Sequence, residues 1–188
     1  MSIISERHPG YPDDTRMRAV FNAIEALIER RYAIPVRIRD VPDPFTGDLD
    51  GAEIHIDHDL DAEEALFILV HLFGHTVQWN LSERGRTLGV QQPDPNLSEE
   101  RMAELYQYER QAAELSLTLF HDAGVHDLDQ WLADFFHCDW AYLVHFYKTA
   151  EKRPFKGFWR VGTELLQPRP IPEFTPSAWR ARWDGVVV

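Results

Sequence analysis

Two histidines four residues apart, His71 and His75, form the pair whose spacing most directly indicates chemistry in this sequence. On a helix, that spacing places both imidazoles on one face, within reach of a single metal ion. Zinc peptidases use the same spacing in the motif H-E-x-x-H, where the second residue is the glutamate that activates water. Here that position holds Leu72. The sequence therefore predicts a metal-binding pair that lacks its general base.

A metal site needs a further ligand, and the best candidate is Glu109 on a later predicted helix. The face that Glu109 shares consists of small residues, which would let this helix approach the histidine helix closely: Ala112, Ala113 and Ser116. Gly74, in the middle of the histidine helix, also predicts close approach of another element, because glycine there costs about 1 kcal/mol relative to alanine. Glu104 and Glu114 are the alternative ligands.

The order of these motifs resembles the ImmA/IrrE family of zinc metallopeptidases over roughly residues 15 to 123. In that family a strand precedes a helix bearing H-E-x-G-H, and the next helix supplies the third ligand from E-x-x-A. The matching segments here are a strand at 51–56, His71-x-x-Gly74-His75 and Glu109-x-x-Ala112. The resemblance implies a zincin-like fold and a metal held by His71, His75 and Glu109. Leu72 departs from the family at its catalytic glutamate, so an ordinary protease is not expected.

Two histidines and one carboxylate leave open coordination positions on a divalent transition metal. Zinc in such a site lowers the pKa of bound water, whereas iron with the same ligands binds oxygen. The resemblance favours zinc over iron, and both a hydrolase-like and a non-heme iron enzyme remain open.

Other side chains are candidates for the role of the missing glutamate. Gln78 lies one turn beyond His75 and is expected to orient a ligand or substrate through hydrogen bonds. Tyr142 and His145 are three residues apart on the last predicted helix and could act together as acid and base in one pocket. Asp139 on that helix is a further option. The alternative for Tyr142 and His145 is ordinary half-buried packing.

The elements that must position these groups follow from hydrophobic periodicity and capping residues. The predicted elements are a helix from 13 or 14 to 32, half-buried strands at 34–39 and 52–57 joined by a turn-rich link at 42–48, and helices at 62–80, 98–124 and 127–150. Asp61, Ser98 and Asp127 are the predicted caps of the last three helices. This order predicts an α+β fold, mostly helical, with a small sheet beside the metal-binding helix.

The whole chain, 1–188, is predicted to form one domain. An N-terminal segment (1–12) precedes a metallopeptidase-like body (13–164), and a proline-rich arm with Trp179 and Trp183 (165–188) is expected to pack on that body. The net charge of -12 argues against nucleic acid or an anionic membrane as a partner. The apolar runs are shorter than the roughly 20 residues of a membrane helix. A single cysteine and no signal peptide predict a cytoplasmic protein.

Three functions compete at this point. The first is a metal-dependent enzyme that acts on a small molecule or peptide. The second is a non-catalytic pseudo-peptidase with a binding or regulatory role. The third is a weak zinc peptidase whose substrate adds as an edge strand beside residues 52–57.

Overall fold

A computed structural model describes residues 8, 10–42 and 45–179. Its elements follow the chain in this order: α1 (Asp14–Tyr32), β1 (Val36–Arg39), β2 (Gly47–Leu49), β3 (Ile54–Asp57), α2 (Ala62–Leu81), α3 (Glu83–Leu88), α4 (Glu99–Asp122), α5 (Asp129–Thr149) and a short 3-10 helix (Phe155–Phe158). The α+β class, mostly helical with a small sheet, is confirmed.

The sheet has the strand order β1-β3-β2, with β1 parallel and β2 antiparallel to β3. Strand β2 begins inside the segment predicted as a turn-rich link, and that prediction was wrong for its last two residues, 47–48. Glycine and aspartate disfavour strands in general, but a Cβ on Gly47 would lie 2.8 Å from Leu72 Cδ1 on α2. The strand can lie this close to the helix because Gly47 has no side chain.

The strands were predicted to alternate buried apolar residues with exposed polar ones, and this prediction was also wrong at individual residues. His55 on the central strand β3 is buried, whereas Ile38 on the edge strand β1 is 58% exposed. A central strand is covered on both faces by its surroundings, so its polar positions are buried as well. Because β3 already pairs on both sides, no substrate strand can add beside residues 54–57. The route predicted for a residual peptidase is therefore excluded there.

Helix α2 is the central element of the fold, as predicted. The carboxylate of Asp61 accepts a hydrogen bond from the backbone N–H of Glu64 and caps its first turn. The helix is buried nearly all round because it packs against α1, α4 and the sheet. The two histidines therefore lie on a helix that is held by neighbours on nearly every side.

The start of α1 is also correct, because the Asp13 side chain caps it. Of the remaining helix starts, one prediction is correct and two are wrong. Ser98 caps α4 as expected. Asp127 does not cap α5; its carboxylate binds Arg16 of α1 at 2.7 Å, and the cap position is Leu128. The segment predicted as a loop after α2 contains α3, which is capped by the Ser82 hydroxyl. Short helices of this kind carry too little periodicity to be recognised.

Residues 165–179 form neither helix nor strand and contact the body at several points. The Arg169 guanidinium binds Glu114 of α4 at 2.9 Å. Further along, the backbone N–H of Trp179 donates to the carbonyl of Asp50 at 2.7 Å, and Arg86 lies 3.9 Å over the Trp179 ring. Trp183 lies outside the described residues. Among the described helices, none is long and apolar enough to cross a membrane.

Candidate metal centre

The candidate metal site lies where helices α2 and α4 pack closely against each other. A Cβ added to Gly74 would lie 2.5 Å from the carbonyl oxygen of Ala112 and 2.8 Å from its Cα, so backbone meets backbone at this point. One turn further along α4, the Ser116 hydroxyl donates to the carbonyl of Val70 at 2.8 Å. Both the glycine and the small face of α4 therefore serve the close contact that the sequence predicted.

This contact brings the three predicted ligands together. His75 Nε2 lies 3.1 Å from His71 Nε2 and 3.1 Å from Glu109 Oε2, and His71 Nε2 lies 3.9 Å from the same oxygen. The donor atoms lie within 4.8 Å of one another, and the residues are buried or half-buried. This buried group can hold a metal ion.

A hydrogen-bond chain fixes which nitrogen of His75 faces the other ligands. The Gln78 amide nitrogen donates to the carbonyl of Tyr108 at 2.8 Å, which turns its oxygen Oε1 toward His75 Nδ1, also at 2.8 Å. Because that oxygen can only accept, His75 Nδ1 must carry a hydrogen. In a neutral ring the lone pair is then on Nε2 and points at Glu109. The predicted orienting role of Gln78 thus has a definite partner, a ligand histidine.

His71 is held by an aromatic neighbour. The Phe67 ring stacks on the imidazole at 5.3 Å between ring centres, with 29° between the planes. Burial, with a smaller contribution from the charge of His75, lowers the pKa of His71 to about 3. The ring is therefore neutral near pH 7, which is the form that binds a metal. Sequence reasoning missed Phe67, although its position four residues before His71 could have indicated the contact.

The chemistry of the donor set fits a cation. Burial alone would oppose ionisation of Glu109, but the charge and the hydrogen bond of the protonated form of His75 outweigh burial and lower the pKa of the carboxyl. A carboxylate and an imidazole lone pair 3.1 Å apart repel each other unless a proton or a cation lies between them. A divalent transition metal provides that charge and uses all three donor atoms, which one proton cannot do.

The two alternative carboxylates are engaged elsewhere. Glu104 binds Arg84 and Arg101 at the surface. Glu114 binds Arg110 and, in the C-terminal segment, Arg169.

Leu72 does not face the metal ligands. Its side chain is 1% exposed, belongs to the main core, and lies against Gly47 of β2. A leucine suits this position because its surroundings are apolar.

Of the two predicted acid and base candidates on α5, one lines the cavity beside the site and the other does not. Tyr142 lines an apolar cavity with Asp139 and Phe67. His145 is not among the residues that line this cavity; its ring lies against Phe158, 5.9 Å away. Catalytic roles for either residue stay predictions.

Asp139 is the unusual acid in this region. It is 8% exposed, and none of the described residues forms a hydrogen bond or ion pair with it. Burial, reinforced by the negative charge of Glu109, raises the pKa of Asp139 well above its ordinary value of 3.8. A raised pKa is the property of a carboxyl group that can carry a proton near neutral pH.

Comparisons of the chain with family models, with curated proteins and with solved structures return no match. The chemistry of the site is therefore inferred from its geometry.

Proposed function

We propose that this chain is a metal-dependent enzyme that acts on a small molecule or a peptide. The metal would be a divalent transition ion, zinc in preference to iron, held by His71, His75 and Glu109. The observation that carries the proposal is the convergence of three donor atoms, the closest pairs 3.1 Å apart, with His75 Nε2 turned toward the other two. Two histidines and one carboxylate leave positions open for water or substrate.

The arrangement of elements supports a zincin-like scaffold. The histidine helix packs on a small sheet, and the next long helix supplies a glutamate followed three residues later by Ala112. This is the order of parts in the ImmA/IrrE metallopeptidases that the sequence resembles. Leu72 replaces the base of those enzymes, so the proposed reaction is not ordinary proteolysis.

In this proposal a bound metal would supply Lewis acidity and lower the pKa of a water molecule. The protein's own contribution is orientation and proton transfer. Gln78 holds His75 in the tautomer with its lone pair on Nε2. Phe67 covers one face of His71. Asp139, whose carboxyl pKa is raised by burial, lines the adjoining cavity and is the proposed group that gives a proton to a substrate there.

Elemental analysis of the purified protein tests the proposal and separates zinc from iron. The expected result is about one equivalent of metal, lost in His71→Ala and Glu109→Ala and kept in the matched control His145→Ala. Circular dichroism would establish that each variant is folded. A folded wild-type protein that holds no transition metal, and takes none up on reconstitution, would refute the proposal.

A structural metal is the second candidate, because Glu109 and His75 are only 6% and 7% exposed. A buried site of this kind stabilises a fold whether or not it catalyses a reaction. In that case chelation should lower the melting temperature, and no turnover should depend on the metal. A metal-dependent reaction lost in a folded His71→Ala variant would favour the enzyme.

A further inference from the structure

A cavity of about 330 Å³ lies beside the metal centre, between α2, α5 and the segment that follows α5. Its walls are mostly apolar: Leu60, Phe67, Ile68, Phe135, Tyr142 and Phe155. The volume falls in the range of about 300–1,000 Å³ that is usual for pockets that bind small organic molecules.

The charged groups of the cavity are divided between its rim and its interior. Lys152 and Arg153 line it and are exposed, and neither has an ion-pair partner among the described residues. Among the described residues that line the cavity, Glu64 is the one exposed acid. Asp139 lies inside, where burial raises the pKa of its carboxyl well above the ordinary value. In a chain of net charge -12, Lys152 and Arg153 beside the single acid Glu64 give the described rim of the cavity a local excess of positive charge.

We propose that this cavity binds an amphipathic carboxylate, with its apolar body between the aromatic walls and its anionic group at Lys152 and Arg153. Apolar walls favour a hydrocarbon or aryl group, since burial contributes about 25 cal/mol per Å² of apolar surface. The ionised end stays at the rim because a charge without a partner is costly to bury. A cationic end would meet two like charges there.

The cavity shares a wall with the proposed metal centre. Phe67 lines the cavity and stacks both on His71 and on Phe135, the latter at 3.9 Å between ring centres. Phe67 is therefore the residue that the cavity and the metal centre have in common. Binding itself requires no metal, so this inference goes beyond the proposed enzyme and can be tested without it.

Calorimetric titration of the metal-free full chain with octanoate is the test, with octanamide and octylammonium as neutral and cationic controls of equal length. We expect one octanoate to bind per chain, and both controls to bind at least about tenfold more weakly, because the difference rests on two partly exposed charge pairs. The Lys152→Ala/Arg153→Ala double variant should bind octanoate at least about tenfold more weakly than wild type does. Arg37→Ala, at an exposed cation on β1 outside the cavity, should bind like wild type.

The position of the ligand is checked by NMR of isoleucine methyl groups. Octanoate should shift the Ile68 signal, which reports the cavity, and leave Ile38, exposed on β1, unchanged. Equal affinity for octylammonium, or no loss in the double variant, would overturn the inference. Binding that appears only after zinc is added would assign octanoate to the metal centre and would also overturn it.

Discussion

Substitution of Gly74 by alanine should impair metal binding although the residue touches no metal. The new Cβ would lie 2.5 Å from the carbonyl oxygen of Ala112, whereas ordinary contacts begin near 3.4 Å. The atoms it meets belong to backbone, which cannot rotate away. Helices α2 and α4 must therefore separate by several tenths of an ångström, and Glu109 on α4 must move away from the histidines.

Two opposing effects determine how far Gly74→Ala changes the free energy of unfolding. Alanine gains about 1 kcal/mol of helix propensity over glycine. Overpacking a close contact costs about 1–3 kcal/mol. We therefore expect the metal-free variant to unfold with a free energy lower by at most about 2 kcal/mol, and its zinc affinity to fall about 10–100-fold, as when ligand orientation is disturbed.

The assay is a competition titration of zinc against a chromogenic chelator, together with thermal unfolding of the metal-free protein. Gly157→Ala is the matched control, because a Cβ there meets nothing within 4 Å. If Gly74→Ala binds zinc as tightly as wild type and melts at the same temperature, the close contact does not position Glu109 and the reasoning fails.

Three further predictions concern the surroundings of the site. Gln78→Leu should weaken zinc binding about 10–100-fold by freeing the His75 ring, and Gln107→Leu, at an exposed position on α4, should not; equal affinities in the same competition titration would contradict the orienting role. Leu72→Glu should lower the free energy of unfolding by about 3–5 kcal/mol in urea titrations, because it places a carboxylate in the core; a stable variant that cleaves a peptide library would contradict this. Asp139→Asn should stabilise the metal-free protein at pH 7. A carboxyl group whose pKa is raised on folding contributes most to the free energy of unfolding below its unfolded pKa. As pH rises above that value, the contribution falls by about 1.4 kcal/mol per pH unit. The difference in melting temperature between Asp139→Asn and wild type should therefore vanish below about pH 4 and grow above it; a constant difference would contradict the assignment.

Local sequence patterns were sufficient to predict the features that lie on a single helix. The spacing of His71 and His75, the apolar character of α2 and its Asp61 cap all follow from rules that act within a few residues. Strand β2 and helix α3 escaped prediction because both are short, and because the glycine and aspartate of β2 disfavour strands. They form because Gly47 lies against α2 and Ser82 caps a single short segment.

The candidate ligands could be predicted from sequence, because two histidines and a distant glutamate with a small-residue face are readable as types and spacings. Their arrangement in space could not. The backbone contact at Gly74 brings Glu109 to the histidines, and the Tyr108 carbonyl, through Gln78, sets the proton on His75. The tertiary structure also places Leu72 in the core and Asp139 in the cavity. These outcomes depend on contacts between residues far apart in the chain, whose geometry no local spacing encodes.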